Sequence, residues 1–122
     1  MFIGIDLGTS SVKTILIDEN QNTLSTHTEN IEILNPSLGY YEQVPENWYS
    51  ATIKCFNKLK SDMPKEFSVV KALGISGQMH GATLIDNNYN VLRPCILWND
   101  TRSAKQCSYM ENKCSSLREK SG

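Results

Sequence analysis

Three short stretches carry residue types on which chemistry could be built, and the first is Asp6-Leu7-Gly8-Thr9-Ser10. The apolar run from Phe2 to Ile5 ends at a carboxylate, so Asp6 is expected to be held rigidly where a strand leaves its sheet. Gly8 lets the chain reverse in little space. The N–H groups of the turn, with the Thr9 and Ser10 hydroxyls, can then converge on an anion. Phosphate oxygens suit such a cradle, and a neighbouring carboxylate suits Mg²⁺ or one of its waters. Lys13 adds positive charge if the next strand runs beside the phosphates. Asp6, Gly8, Thr9, Ser10 and Lys13 are therefore the candidate phosphate residues, with Asp6 also the candidate metal ligand. The competing explanation is a plain hairpin with an exposed aspartate. Neither G-x-x-x-x-G-K-[ST] nor G-x-G-x-x-G occurs, so a nucleotide bound here would sit between hairpin strands.

The second stretch is Gly77-Gln78-Met79-His80-Gly81, directly after a strand-like run. Strand ends are where open α/β sheets bind ligands. Gln78 and His80 can hydrogen-bond hydroxyls, and Met79 offers a soft apolar wall. A structural histidine with satisfied partners is the alternative. The third stretch, Leu97-Trp98-Asn99-Asp100-Thr101-Arg102, sets an indole beside an amide, a carboxylate and a guanidinium. Such a group can grip a polyhydroxylated chain. A buried anchor Trp followed by a capped helix start accounts for it equally.

These stretches need elements to hold them. Phe2–Asp6, Val12–Asp18 and Thr23–Ile33 read as successive strands joined by short turns, an antiparallel meander, although Thr26, His27, Thr28 and Asn30 make the third polar. Residues 35–44 read as loop, with Tyr40 and Tyr41 packing within it. Pro45 suits a first helical turn. Trp48, Ala51, Cys55, Phe56 and Leu59 then follow at helical spacing until Pro64 closes the segment. Val69–Ile75 reads as a buried strand, residues 82–92 as a hairpin around Asp86-Asn87-Asn88-Tyr89, and Ile96–Trp98 as a brief strand. The last helix is expected to be capped by Asp100 or Thr101, with Ala104, Cys107, Met110, Cys114 and Leu117 facing inward. Ile15–Leu24 and Thr83–Leu92 look alike, which similar hairpin turns explain. Three antiparallel strands, a helix and a further strand able to join the same sheet make an α/β layered domain with a mixed sheet and a hairpin insertion.

Composition narrows the function classes. The 122 residues allow one modest domain, and 39% hydrophobic with 20% charged residues is ordinary for a globular protein. Twelve basic against thirteen acidic side chains leave a formal charge of −1, which argues against nucleic acid as a partner. No apolar run approaches the roughly 20 residues of a membrane helix, and the start has no signal-peptide character. Cys55, Cys95, Cys107 and Cys114 form no C-x-x-C pair, so reduced thiols in a cytoplasmic protein are expected. The final residues still read as helix, as in a piece of something larger.

Taken in order, the motifs resemble the FGGY family of sugar kinases. I-G-I-D-L-G-T-S-S-V-K at 3–13 is similar to that family's first phosphate motif. A-L-G-I-S-G-Q-M-H-G at 72–81 and L-R-P-C-I-L-W-N-D-T-R at 92–102 are similar to the pattern of its xylulose-phosphorylating members, and P-E-N-W-Y at 45–49 fits the start of the family's first helix. The resemblance implies an actin-like, ribonuclease-H-like ATPase domain, with residues 1–122 as the amino-terminal part of the first of two domains that close on a sugar. It implies ATP and Mg²⁺ as cofactors, with Asp6 near the metal and Gly8, Thr9 and Ser10 near the phosphates. Met79 and His80 match the sugar-contacting pair, while Trp98, Asn99, Asp100 and Arg102 match the motif behind it. Gln-Met-His-Gly favours xylulose over glycerol, because glycerol kinases carry an Arg-Glu set there.

Two departures stand out. Val44 occupies a place where the family often has an acidic cap, which weakens the helix start by about 1 kcal/mol. The family's catalytic aspartate and adenine-binding domain have no counterpart before Gly122. The partners expected are thus a small-molecule sugar and a missing carboxy-terminal domain, and the isolated chain is expected to be inactive. A homodimer through apolar surface that the second domain would otherwise cover stays open. So do an FGGY kinase for another ketose or polyol, a ribonuclease-H-like nuclease, and a non-catalytic domain.

Overall fold

A computed structural model of the chain describes residues 1–121. Its strands are β1 (Phe2–Leu7), β2 (Ser11–Ile17), β3 (Thr23–Asn30), β4 (Glu42–Gln43), β5 (Ala72–Ser76) and β6 (Cys95–Ile96). Its helices are α1 (Pro45–Asp62), α2 (Pro64–Ser68), α3 (Ala104–Lys113) and α4 (Leu117–Ser121). The antiparallel meander expected from three runs joined by short turns forms, and β5 adds to it in parallel, giving the order β3-β2-β1-β5. This is the α/β domain with a mixed sheet that the sequence implies.

Alternation explains the core. One face of the sheet carries Ile3 and Ile5 from β1 with Val12 and Leu16 from β2, and α1 answers with Ala51 and Leu59. Trp48, Phe56 and Phe67 pack around that centre. The polar strand β3 is tied to α1 by side-chain contacts, His27 Nε2 to Asp62 Oδ2 at 2.7 Å and Lys58 Nζ to Glu29 Oε1 at 2.5 Å. Val44 stands at the start of α1 without a side-chain cap, as its residue type predicts, and Pro64 both follows α1 and opens α2.

The hairpin at 82–92 forms around a bridge between Ile85 and Val91. Its likeness to the β2–β3 turn extends to individual bonds. Asp18 and Asp86 each accept from the backbone two and four residues on and from the side chain of Asn22 or Asn90. Gln21 and Tyr89 both take left-handed backbone there.

Four expectations change. Residues 42–43, read as loop, form β4 and pair with β6. The strand at 72–76 is exposed on every residue instead of buried, because β1 holds one of its edges and no described element covers its faces. The last helix breaks at an extended Cys114, and α3 buries none of its residues, including Ala104, Cys107 and Met110. Neither Asp100 nor Thr101 caps it; Ser103 occupies that position without a side-chain bond, since Asp100 and Thr101 are engaged elsewhere.

Candidate functional site

Parallel pairing decides where the motifs meet. Asp6 and Ser76 are in register, so β1 and β5 end at the same edge of the sheet, and the turns that leave them emerge side by side. Residues 6–9 and 76–80, with Trp98, line one open cleft of about 440 Å³. Asp6, Gly8, Thr9, Gln78, Met79, His80 and Trp98 thus come together from three separate stretches of sequence.

The Thr9 turn is tightly built. Gly8 N–H donates to the Ser11 carbonyl at 3.0 Å, and a Cβ on Gly8 would lie only 3.2 Å from that oxygen. Thr9 is fixed twice. Its carbonyl accepts from Gln43 Nε2 at 2.7 Å, and its Oγ1 accepts from Trp98 Nε1 at 3.1 Å. Because the indole N–H can only donate, the Thr9 hydroxyl keeps its own proton for another acceptor.

Across the cleft, His80 has φ of 58°. That left-handed backbone turns the loop at a cost of roughly 1–2 kcal/mol in a residue other than glycine. Gly81 is tightly packed, since a Cβ there would sit 3.0 Å from Cys95 Sγ; Gly77 has open space around it. Met79 and His80 are exposed. Gln78 is half-buried, and its side chain donates to Gln43 Oε1 at 3.4 Å.

Five candidates do not line this cleft. The Ser10 carbonyl receives the Ile31 N–H at 2.9 Å, and Ser10 is exposed outside the cleft lining. Lys13 lies opposite Asp6 in the β1–β2 register, on the open face of the sheet, where both border a shallower depression of about 290 Å³. Asn99 turns inward, its Oδ1 buried without a partner. Asp100 and Arg102 pair with one another. The Arg102 Nε and Nη2 donate to Asp100 Oδ1 and Oδ2, each at 2.8 Å, and Tyr41 N–H adds a bond of 2.7 Å. The Arg102 guanidinium holds the Asp100 carboxyl down at about 2 against the opposing effect of desolvation, helped by the backbone N–H groups of Arg102 and Tyr41. Arg102 is raised in turn, mostly by Asp100.

That pair joins a larger cluster. Buried Glu42 receives Arg102 Nη1 at 2.8 Å and also Arg93, while the Arg102 guanidinium lies 4.2 Å from the Tyr40 ring centre. Leu97 N–H bonds the Tyr41 carbonyl and Thr101 N–H bonds that of Gly39, so residues 97–102 are clamped onto 39–42. The cluster fixes the loop from which Trp98 reaches the cleft. Glu42 and Gln43 are the residues that the sequence did not single out. Their segment carries no periodicity, and only its place just before the Pro45 helix start was a signal.

Residues 1–122 match the model of the FGGY family of carbohydrate kinases, N-terminal domain, and the chain belongs to that family. The xylulose kinase of Klebsiella pneumoniae is 47% identical over 122 residues, which is 100% of this chain and 25% of that enzyme. A gluconokinase of Bacillus subtilis is 32% identical over 101 residues, 83% of this chain and 19% of that enzyme. A solved structure from Brucella ovis, described as a xyloylose kinase, has a TM-score of 0.87 and 46% identity over 91% of this chain and 23% of its own. The chain therefore spans about a quarter of the length of these relatives, or less. The fold is the actin-like ATPase fold of FGGY sugar kinases. Among the described residues no helix is long and apolar enough to cross a membrane.

Proposed function

We propose that this chain is the amino-terminal part of a cytoplasmic, ATP-dependent kinase that phosphorylates D-xylulose to D-xylulose 5-phosphate. The observation that carries this reading is the convergence on one cleft of the Asp6–Thr9 turn, the Gln78–His80 loop and Trp98. The xylulose kinases to which the chain is similar give the sugar its name.

The residues fit the nucleotide and metal that this activity needs. Asp6 is exposed, and no three His, Cys, Asp or Glu side chains gather as a metal cage among the described residues. Mg²⁺ suits such a site, because it keeps several waters and binds through one or two carboxylates plus substrate phosphates. When bound, ATP supplies the phosphoryl group and Mg²⁺ offsets its charge. Asp6 would hold the metal or one of its waters, while the free Thr9 hydroxyl proton and Ser10 would meet phosphate oxygens, with Lys13 near Asp6 adding positive potential. On the sugar side, His80 would bond a hydroxyl, Gln78 and Met79 would shape the wall, and Trp98 would cover the C–H face. Asn99, Asp100 and Arg102 would act by holding the Trp98 loop. The group that takes the hydroxyl proton would come from a carboxy-terminal domain, so the 122 residues alone would not turn over.

Calorimetric titration of D-xylulose into the full-length protein, with glycerol and gluconate as controls, tests the substrate. Heat with xylulose alone is expected; heat with a control alone keeps the kinase and changes the sugar. In the same protein His80→Ala should raise the sugar KM about tenfold or more while the ATP KM stays within about threefold, as loss of one substrate hydrogen bond predicts. Equal effects on both would sink the role of His80.

A further inference from the structure

Gln43 lines no part of the cleft, yet it touches both of its walls. The side chain is wholly buried on β4. Its Nε2 donates to the Thr9 carbonyl at 2.7 Å, and its Oε1 accepts from Trp48 Nε1 at 3.0 Å and from Gln78 Nε2 at 3.4 Å. The amide can face only one way. A carbonyl only accepts and an indole N–H only donates, so nitrogen must point at Thr9 and oxygen at Trp48.

The sheet does not set this spacing. Pairing between β1 and β5 stops at Asp6 and Ser76, and among the described residues no backbone hydrogen bond joins 8–10 to 77–81. Gln78, whose own Oε1 is buried without a partner, makes its side-chain hydrogen bond to Gln43 alone. Beyond the end of the sheet, one buried amide bridges the turn on the phosphate side to the loop on the sugar side.

We infer that Gln43 is a positioning residue for phosphoryl transfer: its amide sets the separation between the Thr9 turn and the Gln78–His80 loop, and hence between the transferring phosphate and the sugar hydroxyl. This rests on the function proposed above. Transfer between two bound substrates depends steeply on their separation, and a displacement of about 1 Å can cost on the order of a hundredfold in rate. A residue that sets this distance while touching neither substrate should act on kcat and spare both KM values.

The test uses two variants of the full-length protein. Gln43→Met keeps the length of the side chain and removes its polar bonds. It should lower kcat between about tenfold and a hundredfold, with both KM values within about threefold of the parent. Gln43→Glu keeps an acceptor for Trp48 and Gln78 but turns an oxygen towards the Thr9 carbonyl. Protonation of that carboxyl restores a donor, and burial raises the pH at which it occurs. The ratio of variant to parent kcat should therefore rise as pH falls from 8 to 6. The side chains bonded to Gln43 are uncharged. Asp6 and His80 in the cleft, adjacent Glu42 and Cys95 opposite in β6 are present in both proteins, so the ratio reports the change made at 43.

Hydrogen–deuterium exchange gives a readout that needs no activity. In Gln43→Met, exchange should quicken at 8–11 and 77–81 while the α1 core is unchanged. Unchanged exchange at either segment, or a folded Met variant with kcat within twofold of the parent, would overturn the inference. Faster exchange throughout β1, β2 and α1 in both variants would also overturn it, by showing a residue that merely supports the fold. If the parent phosphorylates no sugar, the proposed function falls, and exchange still decides the role of Gln43.

Discussion

β2 and β5 flank the same strand, β1, and both are rich in apolar residues, yet their surroundings are opposite. Val12 and Leu16 of β2 are wholly buried, whereas Leu73 and Ile75 of β5 are 54% and 67% exposed. The helix α1 packs on β2 and β3, and no described helix packs on β5. Burial of a strand is therefore set by what lies over it, and residue composition only makes that burial affordable. The same division runs through the cleft, whose Thr9 turn is bonded on two sides while the 77–81 loop opposite is mostly exposed.

Substitutions can break this contrast. The largest effect is expected from Leu16→Ala, which opens a cavity under α1 and should cost about 3 kcal/mol in urea unfolding of this chain. Next is Asp100→Asn. Asp100 titrates at about 2 in the folded chain, below its ordinary 3.8, so the stability it contributes is complete above roughly pH 4 and is lost as pH falls through 2. Melting temperatures from pH 5 to 2 should drop more steeply in the parent than in the variant, and the two should converge at the acid end. Parallel curves would mean that the Arg102 pair does not hold in solution.

A smaller change is expected from Trp98→Phe, which removes the indole bond to Thr9 Oγ1 and keeps most of the ring. The cost should be about 1 kcal/mol or less in the same unfolding assay. A much larger loss would place Trp98 among the packed residues and erase the difference between the two sides of the cleft. The smallest effect belongs to β5. In this chain Ile75→Ala should change stability by under about 0.5 kcal/mol. A loss above roughly 2 kcal/mol that grows with protein concentration would show a second copy covering that face.

What consecutive residues determine in this chain is local. The apolar runs at Phe2–Ile5 and Val12–Ile17 announced the first strands of the meander, and the spacing of Ala51, Cys55 and Leu59 announced α1, because such patterns are properties of neighbouring residues. The three motifs were legible for a related reason: each is contiguous, and Gly8 and Gly81 stand where a Cβ would come within about 3 Å of a neighbour. Residue type alone could not say what covers each element. The apolar content of 69–75 and of the last helix pointed to a buried strand and a packed inner face, whereas β5 is exposed at every residue and α3 buries none of its own.

The partners of Asp100, Arg102 and Gln43 were beyond reach for the same reason. Asp100 meets Tyr41 across 59 residues of sequence, and Gln43 meets Thr9 across 34. Pairing of β1 with β5 and of β4 with β6 brings these groups within bonding distance, and no pattern along the chain encodes it. Residue types chose the chemistry available at the cleft. The long-range pairing of strands decided which of those residues would share it.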